Sequence, residues 1–119
     1  MQYALLIYTE PKVMESLSEA EREALSADYY ALRDQPGVLG GAGLQPVTTA
    51  TTIRLAAGQP LVTDGPFADT KEVFGGYYLI EAENLDRATE LAALVPALRL
   101  GGAVEIRPIL GPASCPRPS

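Results

Sequence analysis

Few side chains in this chain can carry chemistry. Its 119 residues include no histidine and a single cysteine. Ser-His-Asp and Cys-His relays are therefore excluded, and Cys115 has no base to activate it. A metal would need carboxylates alone, and no D-x-D-x-D-G loop occurs, so neither a metal nor another cofactor is expected. Acid–base work by carboxylates remains. The segment VTDGPFADTKEVFGGYYLIE, Val62 to Glu81, sets Asp64 before Gly65-Pro66. Both Asp-Gly and Gly-Pro are turn dipeptides, so the Asp64 carboxylate has a structural use on its own downstream amides. Held at the mouth of an apolar cavity, the same carboxylate is the candidate catalytic residue, a general acid or base.

Three further residues are candidates for substrate binding. Phe67 and Phe74 flank the charged cluster Asp69-Thr70-Lys71-Glu72, and Phe67 follows the Asp-Gly-Pro turn directly. Asp69 and Glu72 have capping-box spacing, which predicts a short helical turn. Glu105 and Arg107 alternate with Val104 and Ile106. If the apolar pair faces the helices, the charged pair faces the other side of the sheet. There Arg107 can take a carboxylate or phosphate in bidentate fashion, or the two can pair with each other or, across the sheet, with Asp64 or Glu81. The glycines of GVLGGAGL invite a dinucleotide reading, but they follow a helix and enter a strand, and position 46 is Pro. Bulges and close backbone approach are expected instead.

The elements that must position these groups read clearly. Gln2 to Thr9 is a strand apolar on both parities. Ser16 to Asp34 is a helix opened by Ser18 and Glu21 as a capping box, with Leu25, Tyr29 and Leu32 as its buried stripe, widened by Ala24 and Ala31. A Gly-rich strand runs from Val38 towards Val47. Thr51 to Leu55 and Leu61 to Thr63 form a hairpin, and Gly76 to Ala82 is an apolar strand. Asn84 caps a second helix that buries Leu85, Ala88, Leu91, Ala92 and Val95, and Ala103 to Ile109 is the last strand. This order predicts an α+β, ferredoxin-like βαββαβ fold with an inserted β-hairpin. Both helices cover one face, so the apolar second face predicts a homodimer with two sheets packed face to face.

Composition sets the limits. One domain fits the length, spanning 1–110, with 111–119 a flexible Pro-rich tail that holds Cys115. Apolar residues make up 47%, enough for a core, and no run is long enough to span a membrane. The N-terminus lacks a basic region and a cleavage site, so a cytoplasmic location is expected. A net charge of −6, with nine scattered Lys and Arg, argues against nucleic acid. A small-molecule ligand is the expected partner besides a second copy.

YALLIYTE, VTDGPFADTKEVFGGYYLIEAENLDRA and VEIRPI together resemble the YCII-related, or DGPF-domain, proteins of bacteria. The likeness covers nearly the whole chain except the tail. It implies a ferredoxin-like subunit pairing as a dimeric α+β barrel, a cleft between sheet and partner, and Asp64 at the family's acidic site position. The wider family is associated with a His-Asp pair, of which only the Asp half carries over here. Activity in the family is largely unassigned. The resemblance leaves open acid–base catalysis and, as the alternative, metabolite binding or regulation linked to alternative sigma factors.

Overall fold

The computed structural model describes residues 1–111, so Cys115 and positions 112–119 of the expected tail lie outside the described residues. Strand β1 (Gln2–Thr9) lies between β5 (Val73–Glu81) and β6 (Ala103–Pro108), and β2 (Val38–Gly43) completes an antiparallel sheet in the order β2-β5-β1-β6. That order, with β2 separated from β1 by β5, is the split pattern of the ferredoxin-like α+β fold. Strands β3 (Thr51–Ala56) and β4 (Gln59–Asp64) form a separate hairpin inserted between β2 and β5. Ala57 and Gly58, both at positive φ, make its two-residue turn.

Alternation in β1 divides the sheet. Tyr3, Leu5 and Ile7 are buried beneath the helices, while Ala4, Leu6 and Tyr8 are half-buried on the opposite face. Leu5, Ile80, Leu91 and Val95 are the largest fully buried side chains. Each stabilises the fold by about 1.5–3 kcal/mol through area removed from water. Val104 and Ile106 pack against this core, as their alternation with Glu105 and Arg107 requires.

The expected first helix is present as α2 (Glu19–Arg33), and a short helix that was not expected precedes it. Pro11 opens this short α1 (Pro11–Glu15). The break is made by Ser18, extended at φ −68° and ψ 165°. The Ser18 hydroxyl accepts the Glu21 amide at 3.1 Å, and the Glu21 carboxylate accepts the Ser18 amide at 2.9 Å. The expected capping box is therefore present, with two orphan donors satisfied. Asn84 likewise accepts the Arg87 amide at 3.0 Å and starts α3 (Leu85–Ala92).

Other expectations need correction. Ala24 and Ala31 are exposed, so the buried stripe of α2 narrows to Leu25 and Leu32 with Tyr29 half-buried. Leu85 is exposed because a first-turn side chain leans back over the loop before the helix, away from the core. No helical turn forms at 69–72. There the Thr70 hydroxyl donates to the Glu72 carbonyl, a local bond that competes with helix formation. Strand β2 ends at Gly43, and Val47–Thr49 is a 3-10 turn entered through Pro46.

Candidate functional site: a cavity beneath α2

Under α2 the sheet is not fully covered, and Arg22, Ser26, Tyr30 and Arg33 on the cavity's helix wall are exposed. A cavity of about 670 Å³ lies between α1 and α2 on one side and β2 and β5 on the other. Its origin is legible in the residues. The helix-facing positions of β2 are Gly41, paired with Tyr78, and Gly43, paired with Gly76. A Cβ at Gly41 would collide with the Tyr77 carbonyl and lie 2.9 Å from the Tyr78 ring, so this glycine permits close strand pairing. A Cβ at Gly43 would meet nothing within 4 Å. Gly43 is exposed, so the strand leaves the cavity open where a larger residue would narrow it.

Helix α2 lines that space with Arg22, Ser26, Tyr29, Tyr30 and Arg33. These positions fall at i, i+4, i+7, i+8 and i+11, a single helical stripe. Ile7, Val47, Val73 and Phe74 add apolar walls. Tyr29 and Tyr78 stack at 6.4 Å between ring centroids, and the Tyr78 hydroxyl donates to the Tyr29 carbonyl at 2.9 Å. Burial pushes both phenols above their ordinary range, with the neighbouring Tyr78 adding to the rise at Tyr29 and Arg33 opposing it at Tyr78. Both are neutral at physiological pH.

A second cavity, of about 650 Å³, lies beside the hairpin base and is bounded by Tyr8, Phe74, Thr51, Thr52, Pro66 and Phe67. The two share a partition made by residues 44–47 with Val73 and Phe74. Phe67 is highly exposed and sits under the Arg54 guanidinium, 4.5 Å from Cζ to ring centroid. Asp64 ends β4 opposite Thr51, is exposed, and lines neither cavity. The turn after it is held by Gly65 at φ +109°, whose amide donates to Ala50 at 2.8 Å and whose carbonyl accepts the Thr52 hydroxyl at 2.7 Å. The turn is thus held by Gly65 and Thr52, and among the described residues the expected bonds from downstream amides to the Asp64 carboxylate are not formed.

Glu105 and Arg107 are exposed on edge strand β6, opposite Leu6 and Ala4 on the face away from the helices. They form no ion pair with each other. Within one chain, then, Asp64, Phe67 and the Glu105–Arg107 pair are not brought into one site. Reasoning from the sequence passed over the α2 stripe. The signal was present in the spacing of Arg22, Ser26, Tyr29, Tyr30 and Arg33 opposite a strand written VLGGAG.

Among the described residues no group of three or more His, Cys, Asp or Glu could hold a metal, and no helix is long and apolar enough to cross a membrane. The architecture defines a small α+β sheet domain with a ligand-sized cavity under its longest helix. Residues 1–111 match the YCII-related domain, and the chain belongs to that family. It is also 40% identical over 114 residues to an uncharacterized protein of Rhizobium meliloti (strain 1021), with 92% of each chain covered.

Proposed function

We propose that this YCII-related protein binds a small organic molecule in the cavity beneath α2, and that it works as a homodimer. The observation that carries the first part is the unfilled space itself. About 670 Å³ falls within the range of small-molecule pockets. Support for the dimer comes from the second face of the sheet. Leu6, Tyr77 and Leu79 form an apolar centre there, and Glu105 and Arg107 flank it without ion pairs. A two-fold axis lets Glu105 of one chain meet Arg107 of the other, which makes the patch self-complementary.

Acid–base chemistry by Asp64 is the second reading. One observation favours it: the neighbours of Asp64, namely Thr51 across the hairpin and Pro66-Phe67 along the chain, border the second cavity. A partner sheet laid over that cavity would supply the apolar surroundings that the single chain lacks.

One thermal-melt experiment separates the two. Apolar probes such as the neutral N-phenyl-1-naphthylamine are added to wild type, Gly43→Leu and Asp64→Asn. A ligand at a hundred times its Kd stabilises the native state by about 2.7 kcal/mol. The cavity reading expects the rise in melting temperature to survive Asp64→Asn and to vanish in Gly43→Leu, whose side chain fills the open space. A rise lost only in Asp64→Asn transfers the site to the second cavity. No rise with any probe removes the binding function.

A further inference from the structure

We infer that the natural occupant of the α2 cavity is an organic anion with an aromatic or otherwise apolar body, its acid group seated on Arg33. This rests on the reading of the cavity as a ligand site and specifies what enters it.

The charge on the walls is unbalanced. Arg22 and Arg33 both line the cavity, and Glu15 is the one acidic residue among the described lining residues. The three ion pairs among the described residues are Met1–Glu81, Arg87–Glu90 and Arg99–Asp28, so neither wall arginine is paired with a carboxylate. Each guanidinium instead donates to a backbone carbonyl. Arg22 Nη2 reaches Met14 O at 2.7 Å, and Arg33 Nη2 reaches Gly41 O at 3.2 Å. A guanidinium has five N–H donors in a planar fork, so most of each remains available to an anion.

The two ends of the cavity differ. Eleven residues of helix separate Arg22 from Arg33, about 16 Å along the axis. The Arg22 end is tied to the carbonyl of Met14, whose neighbour Glu15 brings the opposing charge. At the Arg33 end the guanidinium is held by Gly41 and lies over the Tyr30 ring, 5.4 Å from Cζ to centroid. No carboxylate lines that end. Arg33 is exposed, as Arg22 is, so it stands at the rim. An acid group bound there keeps part of its hydration, while the body enters between Tyr29, Tyr78 and the apolar walls. That arrangement avoids the penalty of burying a charge and offers bidentate recognition of a carboxylate. The Tyr29 and Tyr78 phenols are neutral and do not repel the anion.

The test compares 2-naphthylacetate with its neutral amide by isothermal titration calorimetry, using wild type, Arg33→Gln, Arg22→Gln and, as a remote control, Arg87→Gln. Circular dichroism melts establish that each variant is folded. The expected result is at least a tenfold preference for the acid in wild type, weakened by salt, lost in Arg33→Gln, reduced less in Arg22→Gln and kept in the remote Arg87→Gln. Equal binding of acid and amide overturns the assignment of an anion while leaving the cavity as a binding site. Loss of the preference in Arg22→Gln alone moves the acid group to the other end and overturns the assignment to Arg33. Failure of acid, amide and N-phenyl-1-naphthylamine alike overturns the cavity reading itself.

Discussion

At the residue scale, local chemistry was the most legible. Ser18 and Glu21 announce a capping box by type and spacing, and both of its hydrogen bonds form. Hydrogen bonding to the Glu21 carboxyl, first by the Ser18 backbone amide and then by the Ser18 side chain, holds it below the ordinary glutamate value of 4.5. A carboxyl with a lowered folded-state pKa stabilises the fold above its unfolded value, and the contribution is lost as pH falls through the folded value. Glu21→Gln, which removes the ionisable group, should therefore lower the melting temperature at neutral pH, with the gap to wild type narrowing as the pH drops below about 4.5. Parallel melts from pH 7 to pH 3 check it; a gap constant across that range would contradict the box as the source. Less legible was what each glycine does. GVLGGAG announces bulges and close backbone approach, and both occur, but not that Gly41 makes the approach while Gly43 faces open space, because the difference lies in where Tyr77 and Tyr78 of a distant strand fall.

At the element scale, strand and helix order followed from periodicity, whereas the faces did not. Alternation in β1 and β6 correctly separated Val104 and Ile106 from Glu105 and Arg107. The helical stripe of α2 was drawn too wide, since apolar character at Ala24 and Ala31 says nothing of whether another element stands opposite. The turn expected at 69–72 failed for a similar reason: the capping spacing is there, but the Thr70 hydroxyl and the Glu72 carbonyl engage each other first. The clearest unmet demand is that of the sheet's second face. A single-chain sheet with Leu6, Tyr77 and Leu79 half-buried on its open side needs cover. Light scattering on a sizing column should give twice the chain mass of 12.6 kDa, and Leu6→Glu should shift the mass to a single chain by placing a charge at the centre of the patch. A wild-type monomer at micromolar concentration would refute the dimer.

At the scale of the whole molecule, the sequence contained the fold class and the family but dispersed the site. Asp64, Phe67, Glu105 and Arg107 were singled out one by one as chemically capable, and the fold carries them to the hairpin base, the second cavity and the β6 edge. The cavity beneath α2 arises from a relation between elements: a stripe of polar and aromatic side chains set over a strand without them. Such an absence of volume has no residue type of its own, which is why it was not read in advance. The most direct measurement of the central claim is an amide chemical-shift map with 2-naphthylacetate titrated into isotope-labelled protein. Perturbations centred on the amides of Arg33, Gly41, Gly43 and Gly75 are the expected result. Perturbations centred on Asp64 or on Glu105 and Arg107, with those four amides unmoved, would contradict it.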